Sequence, residues 1–296
     1  MVLRSRPGQS PRRPDALRAK TPARVERFGG GDRSEVDDLL ATEEPLEIRV
    51  AAGRGAGREE HTVAVTMRTP GHDDELAVGF LFAEGVIARR DDVAAVGPVI
   101  DEPLPDLPDG CSNVVLVELA ADRLPEMARL ERHFFTTSAC GVCGKSGIEN
   151  LTLRAAPLPD GPQISAQVLA GLPATLRESQ GVFDATGGLH AAAFFDLKGN
   201  LLSVREDVGR HNALDKLIGR AFLAGELPFE NGAVLVSGRS SFEILQKCLA
   251  ARAPIVAAVS APSSLAVQVA RGFHLTLAGF VRGDRFNLYS GFERVV

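Results

Sequence analysis

The sequence predicts a mixed α/β protein, α+β over its whole length, in which a small N-terminal α+β unit precedes a larger α/β unit. Three observations predict it. Two alternating apolar runs around a glycine-rich stretch, Leu46–Val50 and Thr62–Met67, mark a hairpin near the start. Continuous apolar runs, Ala233–Val236 and Ile255–Val259, mark strands covered on both faces. Helical stretches opened by serine pairs alternate with those strands, as a layered sheet requires.

Residues 1–33 carry nine Arg or Lys against Asp15, Glu26 and Asp32. Such a segment buries too little to hold a fold, so a disordered basic tail is expected, with a docking arm for acidic partners as the weaker reading. Arg12-Arg13 lacks a following apolar stretch, which excludes a twin-arginine export signal. The unit expected over 34–133 opens on the hairpin, which Pro70-Gly71 closes. His72-Asp73-Asp74-Glu75 then puts acids in a first helical turn, where the dipole favours them. Leu76, Phe80, Leu81 and Val86 continue at helical spacing as core. Val114–Leu119 reads as a further strand after the turn-rich 103–110.

The unit expected over 151–296 holds a helix at Gln163–Leu176 and a hairpin over Ala191–Val204, broken at Lys198-Gly199-Asn200. A helix over Asp207–Phe222 carries Leu214, Leu217, Ile218 and Phe222 on one side. The strand Ala233–Gly238 leads into a helix capped by Ser240-Ser241, with Phe242, Leu245 and Leu249 inward. The strand Pro254–Val259 leads into one capped by Ser263-Ser264. Final strands are His274–Phe280 and Arg285–Tyr289. In open α/β sheets ligands sit outside the carboxyl ends of strands, where helix N-termini favour phosphate. Ser237, Gly238 and Arg239 form one such turn, and Ser260–Ser264 the other; two ordinary capped helices are the competing account. Arg239 adds a forked cation suited to phosphate. The chain contains no G-x-G-x-x-G or Walker loop, so an NAD or ATP site is not supported. Five ionisable side chains crowd Arg205–Asn212, either as a solvated helix start or as a polar site facing a ligand.

A net charge of −5 argues against sequence-independent nucleic-acid binding. No apolar run approaches the roughly 20 residues that span a bilayer, so no membrane partner is expected. Four cysteines in 296 residues do not make a disulfide framework, which points to a reducing cytoplasm.

Chemistry concentrates in Thr136-Thr137-Ser138-Ala139-Cys140-Gly141-Val142-Cys143-Gly144-Lys145, within an expected mobile loop over 134–150. A thiol acts as its thiolate, which Lys145 favours, and the glycines allow the sulfurs to reach the surface. Three readings compete. Structural zinc needs four ligands, but Cys111 and Cys248 are isolated and His61, His72, His133, His190, His211 and His274 are scattered without ligand spacing, so no metal site is expected. A thioredoxin-like pair would open a helix near the start of a βαβ unit, whereas this pair lies mid-chain among glycines. A sulfur carrier, holding a persulfide on one cysteine, is the third. His190 is followed by Ala191-Ala192 and so lacks the glutamate of zinc deaminases.

This loop resembles the signature of the formate dehydrogenase accessory sulfurtransferases, the FdhD family. Glu43–Leu46, Met67–Gly71, Glu75–Leu81, Asp207–Lys216 and Ser237–Arg239 resemble it in the same order, from about Ser34 to Phe292. The resemblance implies a cytidine-deaminase-like three-layer fold for the second unit. It also implies a sulfurtransferase that takes sulfur from a cysteine desulfurase and delivers it to the Mo-bis(molybdopterin guanine dinucleotide) cofactor, or its tungsten counterpart, of the formate dehydrogenase catalytic subunit. Cys140 is then the persulfide carrier and Cys143 its helper. The family's cofactor-binding motif falls on Phe280, Val281, Arg282, Gly283, Asp284 and Arg285; a charged hairpin turn is the plainer account of that stretch. GDP is a convenient surrogate ligand, and a homodimer is the expected assembly. The alternative is a thiol-redox or zinc-containing nucleotide-binding protein without sulfur transfer.

Overall fold

A computed structural model of the chain describes residues 18–100, 112–125 and 156–296. The first unit is a four-stranded sheet in the order β4-β3-β6-β5. Its strands are β3 (Glu44–Ala52), β4 (Glu59–Arg68), β5 (Val93–Pro98) and β6 (Val114–Leu119). Helix α1 (Asp73–Ala83) covers one face, burying Leu76 and Leu81 against Leu46, Ile48, Val50 and Val117. The expected hairpin is β3–β4, and the acid-rich first turn opens α1. Strand β5 has no counterpart in the sequence reading.

The second unit is a six-stranded sheet in the order β12-β11-β10-β9-β7-β8. Its strands are β7 (His190–Asp196), β8 (Leu201–Asp207), β9 (Gly232–Val236), β10 (Ile255–Ala258), β11 (Thr276–Arg282) and β12 (Arg285–Ser290). Strands β9, β10 and β11 run parallel; β7 runs antiparallel to β9, and β12 to β11. Helices α4 (Arg210–Ala224), α5 (Phe242–Ala250) and α6 (Ser264–Gly272) cover one face, and α2 (Ala166–Glu178) packs on the other; α3 (Gly181–Thr186) is a short turn of helix before β7. Val234, Val236 and Val256 point to the first layer, Leu235, Ile255 and Ala257 to the second. Cover on both faces is why these strands read as unbroken apolar runs, and the result is the three-layer arrangement expected.

The basic N-terminal segment departs from expectation. From Lys20 it is a strand, β1 (Lys20–Gly29), paired antiparallel with β2 (Asp32–Ala41) in a two-stranded ribbon. Its arginines face acids across the ladder, with Arg24 bonded to Glu35 at 2.6 Å and Arg33 bonded to Glu26. Cross-strand opposite charges are what a compositional reading of a tail overlooks. Residues 1–17 of that segment, and the cysteine loop expected over 134–150, lie outside the described residues.

The two units meet where α1 crosses α4. A Cβ on Gly79 would lie 1.9 Å from the carbonyl oxygen of Asp215, and one on Gly219 would lie 1.8 Å from that of Glu75. Backbone therefore touches backbone, which only glycine permits. Phe222 of α4 enters the core of the first unit, its ring 5.5 Å from that of Phe82. Among the described residues no helix is long and apolar enough to cross a membrane.

Candidate functional site: the carboxyl edge of the six-stranded sheet

Strands β9, β10 and β11 end at the edge where β7 begins and β8 ends, and α4, α5 and α6 start there. Backbone contacts tie this edge together. The Ser237 N–H donates to the Ala191 carbonyl at 2.9 Å, and the Ala191 N–H donates to Ser237 Oγ at 2.9 Å. Ser240 bridges to Pro262, and the Phe280 N–H donates to the Ser260 carbonyl at 3.1 Å. The candidate segments Ser237–Arg239 and Phe280–Arg285 therefore share one edge, two strand spacings or about 10 Å apart.

The Phe280–Arg285 segment is the β11–β12 hairpin. Arg282 pairs with Arg285 around Gly283 and Asp284, with Gly283 at φ 62°. Phe280 sits in a ladder irregularity at φ 54°. That left-handed conformation costs a bulky side chain about 1–2 kcal/mol and marks a position held for a purpose. It leaves the aromatic ring at the surface with the Arg282 guanidinium 5.8 Å from its centroid. Arg282, Asp284 and Arg285 are exposed, and Phe280, Arg282, Arg285, Phe286 and Asn287 line a shallow open depression. Val281 is a correction: β11 alternates, so its side chain is fully buried in the core with Ala278 and Ile255 and offers a ligand only backbone. Of the other turn, Gly238 is buried, Arg239 is exposed, and the Ser237 hydroxyl already accepts from Ala191.

The polar stretch Asp207–Lys216 divides into two functions. Asp207 is fully buried and accepts from the N–H groups of Thr69 at 3.2 Å and Gly209 at 2.8 Å, from Asn212 Nδ2 at 3.2 Å, and from Lys216 Nζ at 2.6 Å. Asn212 and Lys216 also donate to the carbonyls of Met67 and Thr69. Asp215 accepts from Lys247 Nζ with both oxygens, at 2.7 and 2.9 Å. These four residues fasten β4 and α5 to α4 and present nothing to a ligand. Neither reading of the stretch covers them, because they are buried and structural.

Arg210 and His211 turn to the sheet edge instead. His211 Nε2 lies 2.9 Å from Glu243 Oε2 and 3.2 Å from Ser241 Oγ at the start of α5. That ring holds the Glu243 carboxyl below its usual range, against the opposing effect of burial. A Cβ on Gly238 would lie 3.3 Å from His190 Nδ1 and 3.5 Å from Arg210 Cδ, so His190, Arg210 and the β9–α5 turn are close neighbours. Half-buried His190 is pushed toward its neutral form, first by burial, then by the positive charge of Arg210 and His211.

The same chain matches the FdhD/NarQ family model over residues 41–296. The chain belongs to the FdhD/NarQ family. It is 47% identical over 280 residues to the sulfur carrier protein FdhD of Streptomyces coelicolor, covering 92% of this chain and 94% of that one. It is 48% identical over 262 residues to that of Mycobacterium tuberculosis, covering 87% and 92%. A crystal structure from Desulfotalea psychrophila, described as a candidate formate dehydrogenase accessory protein, superposes with a TM-score of 0.69 at 23% identity, covering 94% of this chain and 100% of that one. This last likeness concerns the fold.

In this FdhD/NarQ chain the expected sulfur-bearing pair, Cys140 and Cys143, lies outside the described residues. Among the described residues no three His, Cys, Asp or Glu side chains are grouped to hold a metal ion. Cys248 is buried and its thiol is pushed up to about 12 by burial, which leaves it unreactive at neutral pH. Sequence reasoning missed the grouping of His190 with Arg210, His211, Ser241 and Glu243. The usable signal was positional: each lies within a few residues of a strand end or helix start on the same edge.

Proposed function

We propose that the chain is a sulfur carrier for the maturation of formate dehydrogenase, accepting sulfur from a cysteine desulfurase and passing it to Mo-bis(molybdopterin guanine dinucleotide), or the tungsten form, as substrate. The observation that carries this reading is near-full-length similarity, at 47% identity, to a protein named as a sulfur carrier. In the first step the Cys140 thiolate attacks the outer sulfur of the donor persulfide, and the donor cysteine leaves as its thiolate. In the second, an electron pair on the acceptor attacks the outer sulfur, the S–S bond breaks and its bonding pair stays with Cys140 as thiolate, so that the acceptor supplies the two electrons of the new bond. Cys143 assists or shields the persulfide.

The sheet edge suits the dinucleotide. The exposed Phe280 ring supplies a stacking face for a base, Arg282 and Arg285 supply forked donors for phosphate, and Asp284 can accept from the guanine edge. Arg239 and the starts of α5 and α6 extend that polarity along the edge.

Two experiments test this. Incubation with a desulfurase and cysteine should add the mass of one sulfur atom to the intact protein. Cys140→Ala should abolish that gain, and Cys143→Ala should be milder because one thiol holds a persulfide whereas a redox pair needs both. Equal and total loss from either substitution would favour the thiol-redox alternative. In calorimetry with GDP, Arg282→Ala and Arg285→Ala should each weaken binding by roughly 1.5–3 kcal/mol if the guanidinium meets phosphate out of solvent. Unchanged GDP affinity in both variants moves the guanine end elsewhere.

A further inference from the structure

We propose that Asn287 reads the O6 side of the bound guanine, so that together with Asp284 it makes the β11–β12 hairpin selective for guanine over adenine nucleotides. This deepens the preceding reading and rests on it for the presence of a guanine nucleotide at the hairpin.

Strand β12 alternates its faces. Phe286 and Leu288 pack against the core layer beneath α2, so Arg285 and Asn287 turn to the opposite face of the sheet. Across the ladder Arg285 stands opposite Arg282, and Asn287 stands opposite Gly279, the residue before Phe280. Asn287 is exposed and lines the same depression as Phe280, Arg282 and Arg285. A base stacked on the Phe280 ring, with its phosphates at the two arginines, therefore brings one edge within a strand spacing, about 5 Å, of that amide.

The amide is free to receive it. A Cβ on Gly279 would lie 2.9 Å from Pro262 Cδ and 3.0 Å from Tyr289 Cε2, so the glycine lets the Tyr289 ring close over the strand beside Asn287. Asn287 Nδ2 donates to the Tyr289 hydroxyl at 3.5 Å, long for a hydrogen bond and the only one its side chain makes among the described residues. Its second N–H and its Oδ1 are left for a ligand.

Guanine presents an acceptor, O6, beside two donors, N1–H and the 2-amino group. Adenine presents a donor, its 6-amino group, beside an acceptor, N1. The charged side chains of the hairpin are one-sided: Arg282 and Arg285 only donate and are directed to phosphate, and Asp284 only accepts. Asp284 therefore suits N1–H and the 2-amino group but leaves O6 without a donor, which the Asn287 amide supplies. An amide turned over could accept from the 6-amino group of adenine, but Asp284 would then face an N1 that carries no proton. The two residues together favour guanine.

The test compares GDP, inosine diphosphate and ADP by calorimetry on the full chain. Asn287→Ala should weaken GDP and inosine diphosphate by the same factor, a few-fold to about tenfold, because both bases keep O6 and the loss is one neutral hydrogen bond. ADP should change little. Asp284→Ala should weaken GDP more than inosine diphosphate, which lacks the 2-amino group. Asn287→Asp, which removes the donor and keeps the shape, should reduce the preference for GDP over ADP further than Asn287→Ala does. The ring resonances of Tyr289, the one tyrosine of the chain, should still shift with saturating GDP in Asn287→Ala, since the nucleotide stays at the hairpin. Unchanged GDP affinity in Asn287→Ala, or equal losses for GDP and ADP, would overturn the assignment. GDP binding that is weakened by Arg282→Ala and not by Asn287→Ala defeats this inference alone, whereas a wild-type protein that binds no GDP defeats the guanine-docking reading and this one with it.

Discussion

Two sides of helix α4 hold similar side chains in opposite states. On the side facing the first unit, every charge has a close partner: Asp207 with Lys216, Asp215 with Lys247, and Glu75 of α1 with Arg205 of β8. On the side facing the sheet edge, Arg210 has a buried, unpartnered Nε, and Arg239, Arg282 and Arg285 stand at or near the surface without an ion pair among the described residues. Within one decapeptide, residues 207, 212, 215 and 216 are fasteners, and residues 210 and 211 face outward. Charge alone therefore does not identify a site. Burial with a partner marks structure, whereas exposed cations without an ion pair at the ends of the parallel strands take no part in the joint.

The sharpest way to break that comparison is to open the joint. Burial alone would lower the Lys247 ammonium, but the Asp215 carboxylate, bonded through both oxygens, holds it charged. Asp215→Ala leaves that ammonium buried without its hydrogen-bonded carboxylate, the more distant Glu84 and Glu243 being its remaining counter-charges, with an expected loss of about 3–5 kcal/mol. Urea unfolding measures it. Replacing both partners by Leu and Met should restore much of the loss, because no charge is then left uncompensated. If Asp215→Ala costs no more than a surface substitution, the joint is not locked electrostatically and the contrast across α4 fails.

Acid probes the same joint. Burial would raise the Glu75 carboxyl, but hydrogen bonds from Arg205 and His72 overcome it and hold the carboxyl at about 2 against an ordinary value of 4.5. A depressed carboxyl gives stability that is fully present above pH 4.5 and is lost as pH falls toward 2. That contribution amounts to about 3 kcal/mol at most. Glu75→Gln should lower stability at neutral pH and flatten the decline between pH 4.5 and 2. A variant that tracks the wild-type curve through that window would show that other carboxylates carry the acid sensitivity.

Most of the frame was legible because apolar period reports burial directly. The β3–β4 hairpin, α1, β6 and all six strands of the larger sheet correspond to runs read from the sequence. Two stretches, three strands in all, were not. Val93-Ala94-Ala95-Val96-Gly97-Pro98 has neither alternation nor β-branched density, and it becomes β5 through pairing with β6. Lys20–Ala41 looks like solvated charge until its arginines meet acids across the ladder, a relation that composition does not carry. The joint was illegible for the same reason: Asp215 and Lys247 lie on different helices, and Glu75 and Arg205 lie in different units. The hairpin at Phe280–Arg285 was placed correctly at a strand–strand turn. The left-handed backbone of Phe280 and the inward Val281 required coordinates.

The smallest effect separates the two serine turns that read alike in sequence. Ser263 caps α6, its hydroxyl accepting from the Ala266 N–H at 3.2 Å. Ser241 occupies the same place before α5 but makes no cap; its hydroxyl lies 3.2 Å from His211 instead. Removing a side-chain cap costs about 1 kcal/mol, so Ser263→Ala should lower the unfolding free energy by that amount in chemical denaturation. Ser241→Ala removes no cap and should cost only a few tenths of that, with its effect appearing in the ring resonances of His211. Equal costs would mean that Ser241 is structural like Ser263, and the edge would lose one of the polar groups that distinguish it from the joint.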